Sequence, residues 1–294
     1  MKPLFYGTCT AMITPFNEKG VDYKAFKMQI EKQLEAGITA LLFIGTTGES
    51  PTITHSEYKK IVKFAVKTVN KRAKVIVGSG SNNTATAIEK SIYAQKAGAD
   101  GLLVVTPYYN KCTQNGLIKY YTDIALNVNI PIIAYNVPSR TGVNILPETM
   151  AKLTKLPNMV GIKEASGNLE QIKNTLALID GKCYLYSGDD SLTLEMLKMG
   201  AIGSISVCSN PLPKQVEEIY LDFANNNVEQ AQTKQNALLD IMGKLFIEVN
   251  PIPVKYIMKE MKLDSGIMRA PMTILESKNQ DILKQAFIDY GVNL

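Results

Sequence analysis

The feature that most constrains the fold is a regular alternation of apolar runs with amphipathic stretches. Eight apolar runs have the length of β-strands, and they cover residues 8–15, 38–45, 73–80, 101–107, 130–137, 158–165, 183–188 and 202–209. Most of them are apolar throughout, which is typical of parallel strands covered on both faces. Between these runs apolar residues recur at helical spacing, as Tyr23, Phe26, Ile30 and Leu34 do.

Eight strand-plus-helix units predict an α/β fold, a closed (β/α)₈ TIM barrel. The alternative, a doubly wound sheet, usually shows a glycine-rich turn after its first strand, and ITPFNEKG is not such a turn. From about residue 212 the strand signals stop, and helical patterns follow over 213–226, 228–246, 252–261 and 279–290. We therefore expect a catalytic barrel over 1–211 and a helical C-terminal domain over 212–294.

Composition argues against several classes of protein. The chain has 294 residues, 46% of them hydrophobic, and 32 basic against 27 acidic residues give a net charge of +5 spread along the chain. No basic run indicates a nucleic-acid or membrane partner. No apolar run approaches the ~18–20 residues of a membrane span, and the N-terminus lacks the features of a signal peptide, so a cytoplasmic protein is expected.

Cysteine and histidine usage argues against a metal site. Four widely spaced cysteines form no CxxC pair, and the single histidine, His55, excludes a multi-histidine site. His55 lies where a helix begins and no serine occupies a GxSxG elbow, which argues against a histidine-based triad.

Barrel enzymes carry their chemistry at the C-terminal ends of the strands, and Lys163 lies at such an end. It follows Val160, Gly161 and Ile162, so its amine is expected to begin inside an apolar wall. Loss of hydration disfavours the charged form of a lysine and makes its amine a nucleophile that can form a Schiff base with a ketone. The alternative is a lysine that reaches out to solvent or pairs with Glu164.

Other strand ends add polar groups to this candidate. Tyr135 can donate and reclaim a proton, although a core tyrosine is the alternative. Thr46 and Thr47, in GTTGES, offer two hydroxyls and backbone donors to a small carboxylate. Arg140, one of three arginines, can hold a carboxylate in bidentate fashion or form a surface ion pair.

The remaining candidates shape the pocket or face a neighbour. Tyr108 and Tyr109 are adjacent and point opposite ways in extended chain, so one can face the pocket and the other an interface. Gly188 and Ile205 are expected to define the shape of the pocket. Taken together, a nucleophilic lysine, a tyrosine acid, a hydroxyl pair and an arginine indicate covalent catalysis on an oxo-acid.

The motifs that carry these residues resemble a known family. GTTGES, TPYYN, NVPSRTG, GIKEASG and SGDD occur in the order and spacing of the dihydrodipicolinate synthase family, and the similarity runs essentially from end to end. The resemblance implies a Schiff-base condensation of pyruvate with L-aspartate 4-semialdehyde, in diaminopimelate and lysine biosynthesis. It also implies no metal or organic cofactor, and a homotetramer built as a dimer of dimers.

The resemblance further implies a role for each candidate. Lys163 would form the Schiff base, Tyr135 would transfer protons, and Thr47 would link Tyr135 to a Tyr109 contributed by a neighbouring subunit. Thr46 and Thr47 would hold the carboxylate of pyruvate, and Arg140 would hold that of the aldehyde. The pyruvate site would be lined by Gly188 and Ile205.

One departure from the family concerns feedback inhibition by lysine, which some members bind at a subunit interface. The matching positions here include Ser50, Pro51, His55, Tyr58, Asn82, Thr86 and Tyr108. Inhibited members of the enteric or plant type carry a carboxylate at the position of Thr86 and usually another residue at that of Tyr58. Since a carboxylate that could hold an ammonium group is missing, weak or absent inhibition is expected.

Three alternatives to this function remain open at this point. Sibling pyruvate lyases, such as N-acetylneuraminate lyase or a keto-deoxy-sugar aldolase, share the lysine and the tyrosine, but Thr47 and Arg140 favour the synthase. A barrel that only binds an oxo-acid would not need Lys163, Tyr135, Thr47 and Tyr109 together. A scaffold protein has little support, because no repeat array is evident.

Overall fold

A computed structural model describes residues 2–294, and eight parallel strands form its centre. They are β1 (Gly7–Ala11), β2 (Ala40–Phe43), β3 (Lys74–Gly78), β4 (Gly101–Val105), β5 (Ile132–Asn136), β6 (Met159–Glu164), β7 (Tyr184–Ser187) and β8 (Gly203–Ser206). Each strand pairs with its neighbours in sequence, and β1 also pairs with β8, which closes the barrel. The predicted (β/α)₈ barrel is confirmed, and the doubly wound sheet is excluded.

Helices connect the strands as the periodicity predicts. They are α1 (Tyr23–Glu35), α2 (His55–Val69), α3 (Thr84–Lys96), α4 (Gln114–Ala125), α5 (Pro138–Thr141), α6 (Pro147–Leu153), α7 (Leu169–Ile179) and α8 (Thr193–Met199). The short α5 and a small antiparallel hairpin (Phe16–Asn17 with Gly20–Val21) were not predicted. Both are too short to produce a detectable period in the sequence.

Local side-chain contacts fix where the first helices begin. Asp22 accepts hydrogen bonds from the backbone N–H groups of Lys24 and Ala25 and caps α1. At α2 the hydroxyl of Thr54 accepts from the N–H of Glu57, whose carboxylate accepts from the N–H of Thr54. These contacts satisfy N–H groups that a helix start leaves without partners.

The barrel buries two apolar layers. One lies between the strands and the surrounding helices, and the other fills the barrel interior with side chains that include Cys9, Leu42, Leu103, Tyr186 and Ile205. Every residue of β1, β2, β5, β6 and β8 is buried, because helices cover one face and the interior layer the other. Burial of both faces of these strands explains why the corresponding runs in the sequence are apolar throughout.

After β8 the regular elements are helical: α9 (Pro213–Ala224), α10 (Val228–Lys244), α11 (Ile252–Glu260) and α12 (Ser277–Asp289). They share an apolar core with Ile13, Leu194 and Leu197 of the barrel. The segment between α10 and α11 reaches the C-terminal ends of the strands, where Arg140 Nη2 donates to the backbone oxygen of Asn250 at 3.0 Å. The division of the chain at 211/212 stays a prediction. Within 2–294, none of the helices is long and apolar enough to span a bilayer.

Candidate active site

A cavity of about 410 Å³ opens at the C-terminal ends of the barrel strands. Six residues predicted for the site line it: Thr46, Thr47, Tyr135, Arg140, Lys163 and Gly188. The wall also contains residues that the sequence did not single out, including Ser139, Asp189, Phe246, Val249 and Asn250. The barrel therefore brings together side chains from strand ends that are far apart in sequence.

Lys163 lies near the end of β6 with 5% of its surface exposed. It pairs in register with Tyr135 on β5, and its Nζ lies 4.4 Å from the centroid of the tyrosine ring. Within residues 2–294 it forms no ion pair with a carboxylate. Glu164 faces elsewhere and accepts hydrogen bonds from Ser166 N at 2.7 Å and from Asn136 Nδ2 at 3.0 Å. The alternatives, a solvated lysine or a Lys163–Glu164 pair, do not fit this geometry.

Burial shifts the pKa of two groups that neighbour Lys163. Burial raises the pKa of Glu164 above its usual value, against the opposing effect of the Asn136 hydrogen bond. Burial also raises the pKa of the Cys9 thiol well above its usual range, although the charge of Lys163 acts in the opposite direction. Since the thiolate is the nucleophilic form of cysteine, this shift disfavours Cys9 as a nucleophile, and Lys163 stays the predicted one.

Gly188 leaves the space that the lysine side chain occupies. A Cβ at this position would lie 2.9 Å from Lys163 Cε and 2.8 Å from Ala165 Cβ. These separations are shorter than real Cβ contacts, so any larger residue would displace the lysine. The predicted role of Gly188 in pocket shape has this physical basis.

The turn that carries Thr46 and Thr47 has an unusual backbone. Ile44 and Glu49, which flank it, have φ values of 57° and 55°, in the left-handed region. A β-branched residue is a steric outlier there. The turn packs against Gly78, where a Cβ would lie 2.1 Å from the backbone oxygen of Ile44. The two threonines are thus presented to the cavity by a strained turn.

Asn250 is a cavity residue that the sequence analysis missed. Its Nδ2 donates to Thr47 Oγ1 at 3.0 Å, while its backbone oxygen accepts from Arg140. With that acceptor site of the hydroxyl occupied, the proton of Thr47 is left to donate towards the cavity. The only signal for it in the sequence is the Asn250-Pro251 dipeptide before α11, which indicates a turn and not a cavity residue.

Arg140 lies on α5 at the mouth of the cavity and is exposed. It has no carboxylate partner in the described chain, so the alternative of a surface ion pair does not apply. Its hydrogen bond to Asn250 uses one N–H group and leaves others to bind an anion.

Two of the predicted residues lie outside this cavity wall. Tyr109 is 91% exposed and has a left-handed backbone with a φ of 71°. Its neighbour Tyr108 is half-buried. Ile205 is buried in the barrel interior, in the same apolar cluster as Tyr135.

The positions matched to the lysine site lie around the starts of α2 and α3. His55 Nε2 lies 3.2 Å from Glu89 Oε1, and both side chains are more than half exposed. Tyr58 is 1% exposed, and its hydroxyl donates to the backbone oxygen of Lys90 at 3.2 Å. Ser50 begins a short 3₁₀ helix, and the backbone oxygen of Asn82 accepts from Asn110 Nδ2 at 2.9 Å. Weak or absent inhibition by lysine stays a prediction.

Within residues 2–294, no group of three or more histidine, cysteine, aspartate or glutamate side chains is arranged to hold a metal ion. The expectation that the reaction needs no cofactor stays a prediction.

Comparison with known proteins gives one consistent result. The profile of the Dihydrodipicolinate synthetase family matches residues 4–288. The curated 4-hydroxy-tetrahydrodipicolinate synthase of Caldicellulosiruptor saccharolyticus is 48% identical over 293 residues, which cover 99% of each chain.

Solved structures agree with the sequence relatives. A pyruvate-complexed, chloride-inhibited dihydrodipicolinate synthase from Acinetobacter baumannii has a TM-score of 0.95 and 40% identity, covering 98% of this chain and 99% of that one. A monomeric dihydrodipicolinate synthase variant has a TM-score of 0.96 and 39% identity, with 98% and 97% covered.

These similarities extend over the whole chain and include the helices after the barrel. The predicted activity, that of a 4-hydroxy-tetrahydrodipicolinate synthase, is confirmed, and with it the classification as a lyase. The sibling sugar lyases, the non-catalytic barrel and the scaffold are thereby excluded. The chain belongs to the dihydrodipicolinate synthetase family.

Proposed function

We propose that this chain condenses pyruvate with L-aspartate 4-semialdehyde through a Schiff base on Lys163. One observation carries the proposal: a buried amine, which has no carboxylate partner among residues 2–294, lies 4.4 Å from the ring centroid of Tyr135. It lies in a cavity that also contains Thr46, Thr47 and Arg140. A pyruvate complex of the Acinetobacter baumannii relative supports the choice of the first substrate.

The first half of the reaction forms an enamine. The Lys163 amine attacks the C2 carbonyl of pyruvate, and the carbinolamine loses water to give an imine. Tyr135, on the adjacent strand, returns the proton that the leaving hydroxyl needs. Thr46 and Thr47 hold the carboxylate with their hydroxyls and backbone N–H groups. Loss of a proton from C3 then gives the enamine, with the imine nitrogen as the electron sink.

The second half joins the substrates and releases the lysine. The enamine carbon attacks the aldehyde carbon, and the resulting alkoxide takes up a proton. The amine of the adduct then attacks the imine carbon and displaces Lys163 as the ring closes. Arg140, at the mouth of the cavity, binds the carboxylate of the aldehyde. Gly188 leaves room for the lysine side chain, and Ile205 supports the site from the barrel interior.

Borohydride trapping tests the nucleophile. After incubation with pyruvate, reduction and digestion, the peptide that contains Lys163 should gain the mass of a reduced pyruvate adduct. Lys163→Ala should give no adduct and no measurable turnover, because no other lysine of residues 2–294 lines the cavity. An adduct on a different lysine, or wild-type turnover in Lys163→Ala, contradicts the assignment.

We infer that no metal or organic cofactor takes part, because the protonated imine already supplies the electron sink. Activity should survive exhaustive dialysis against a chelator. A loss of turnover that added divalent cation restores would contradict this inference.

We infer a homotetramer, a dimer of dimers, in which Tyr109 completes the site of a neighbouring subunit. The support is a tyrosine that is 91% exposed and lies outside the cavity wall of its own subunit. Thr47 would connect that tyrosine to Tyr135 in a proton relay. Sedimentation analysis at assay concentration tests the assembly, and a fully active single subunit contradicts it.

We also infer that the protein works in the cytoplasm. Cys9, Cys112, Cys183 and Cys208 are free thiols, three of them buried, which suits a reducing compartment. Fractionation of the source cells tests this inference, and recovery in the secreted fraction contradicts it.

A further inference from the structure

A buried ion pair lies under the turn that carries Thr46 and Thr47. Lys255 of α11 donates from Nζ to Glu49 Oε1 at 2.8 Å, and the two side chains are 0% and 1% exposed. The same Nζ donates to the backbone oxygens of Thr14 at 3.0 Å and Ile267 at 2.6 Å. All three donors of the ammonium group are therefore used, and Lys255 does not take part in the proposed condensation.

Glu49 is held on both sides of its carboxylate. Its second oxygen, Oε2, accepts from the backbone N–H of Arg269 at 3.1 Å. Its own backbone has a φ of 55°, a conformation that a residue with a side chain rarely adopts. Strained residues of this kind persist only where the surrounding structure fixes them, and the carboxylate contacts do so here.

One short segment of the C-terminal helices contacts the turn twice. Asn250, just before α11, binds the hydroxyl of Thr47, while Lys255, on the first turns of α11, binds Glu49. Thr14 adds a third contact, because its Oγ1 donates to the backbone oxygen of Gly48 at 2.8 Å. The turn is thus fixed at its cavity end and at its buried end by groups from outside it.

Stability alone is a weak reason for such a pair. Desolvation of two charges largely offsets their attraction, so a buried ion pair contributes little net stability compared with apolar residues of similar size. Its directional geometry, in contrast, sets the position of Glu49 and so of the strained turn. An error of about 1 Å in a catalytic group is enough to lower a rate roughly a hundredfold.

We propose that the Lys255–Glu49 pair positions Thr47 for proton transfer, so that helix α11 controls the catalytic turn from outside the barrel. Lys255 and Glu49 are positioning residues that act through Thr47. This inference rests on the role of Thr47 given under the proposed function.

The test is a double-mutant cycle on kcat. Lys255→Met should lower kcat by about tenfold to a hundredfold at a temperature where the variant is folded. In the Thr47→Ala background the same change should lower kcat by less than about twofold, because the group that it positions is gone. A variant that merely unfolds a fraction of the enzyme lowers kcat by the same factor in both backgrounds, and that result would overturn the proposal.

A charge-free variant keeps the test decisive if Lys255→Met does not fold. Glu49→Gln/Lys255→Met removes both charges of the pair, so its stability should recover relative to Lys255→Met while its kcat stays low. The same comparison with Thr47→Ala is then made on this background. Glu49→Asp keeps both charges but has a side chain shorter by one methylene. Its kcat should lie between that of the charge-free variant and that of the wild type. Recovery of wild-type kcat in the charge-free variant would sink the proposal.

Glu217→Gln is the matched control. Glu217 is also a buried carboxylate that ties the barrel to a C-terminal helix, because Oε2 accepts from Thr8 N at 2.8 Å. This contact lies at the start of β1, at the opposite end of the barrel, so its loss should lower stability and leave kcat unchanged.

Thr47→Ala and Lys255→Met together distinguish the catalytic role of Thr47 from its positioning by Lys255. An unchanged kcat in Thr47→Ala would overturn both the role of Thr47 and the positioning by Lys255. A reduced kcat in Thr47→Ala with an unchanged kcat in folded Lys255→Met would overturn only the positioning.

Discussion

The side chain of Lys163 occupies space that exists because residue 188 has no side chain. A methyl group there would lie 2.9 Å from Lys163 Cε and 3.0 Å from the backbone oxygen of Glu164. The backbone oxygen cannot move without disturbing β6, so the flexible lysine side chain has to yield. The absence of a side chain at residue 188 thus decides where the amine of the proposed nucleophile, Lys163, lies.

Gly188→Ala should therefore lower kcat/KM for pyruvate by about tenfold to a hundredfold, because the amine is pushed from its attack position. Steady-state kinetics and the rate of borohydride trapping measure the effect. Gly243→Ala is the control, since a Cβ at Gly243 meets nothing within 4 Å. Unchanged trapping in Gly188→Ala would refute the steric argument.

Asp264 has a buried carboxyl group whose protonation is coupled to folding. Burial raises its pKa to about 6, although Lys255 acts in the opposite direction. A carboxyl whose pKa is higher in the folded than in the unfolded chain binds protons on folding, so its contribution to stability falls as the pH rises from about 4 through 6. Asp264→Asn should gain stability relative to the wild type from pH 4 to pH 7. Thermal unfolding of the variant and the wild type at several pH values measures this difference. A difference in stability that does not change with pH would contradict the prediction.

The first turn of α2 illustrates how an element is fixed by local and distant contacts together. Thr54 and Glu57 form a capping box that the sequence pattern TxxE encodes. Arg269, from the segment before α12, adds a second bond, donating from Nη1 to Glu57 Oε2 at 2.7 Å. The helix start and the C-terminal segment are thereby linked.

Glu57→Gln should destabilise the protein by about 1–3 kcal/mol at neutral pH. The Arg269 hydrogen bond lowers the pKa of Glu57 to about 2, so this stabilisation is complete above about pH 4.5 and is lost as the pH falls through 2. The gap between variant and wild type in denaturant unfolding should therefore close in acid. Glu31→Gln, which breaks a more exposed pair with Arg72, should cost clearly less stability. Equal losses in the two variants would contradict this reasoning.

At the scale of the whole molecule, the C-terminal helices complete a site that the barrel alone leaves unfinished. Asn250 contacts Thr47 and Arg140, and Lys255 binds Glu49, so the mouth of the barrel depends on residues after 212. Tyr109 is 91% exposed and is proposed to act in the site of a neighbouring subunit. The proposed site would then depend on that subunit as well as on the C-terminal helices.

A hybrid of two inactive variants tests this last point. Lys163→Ala retains Tyr109, and Tyr109→Phe retains Lys163, so a mixed dimer would contain one complete site. Mixing the two after reversible dissociation should restore turnover, up to about half per complete dimer, while each variant alone stays low. Absence of complementation in proven hybrids would show that Tyr109 does not act across an interface.

The order of strands and helices follows from local patterns. Apolar runs and helical spacing reflect which faces of each segment are buried, and this information lies within a few neighbouring residues. The barrel rule then places Lys163, Tyr135, Thr47 and Arg140 at one end, because parallel strands have their C-terminal ends on the same side. These features were predicted from the sequence alone.

Contacts between distant parts of the chain were decided only by the tertiary structure. Asn250 and Thr47 are 203 positions apart, and Lys255 and Glu49 are 206 positions apart. No period or motif encodes such pairs, because they depend on how the C-terminal helices pack across the barrel mouth. The sequence thus determined which polar residues lie at the strand ends around the cavity, while packing determined which other residues hold them in place.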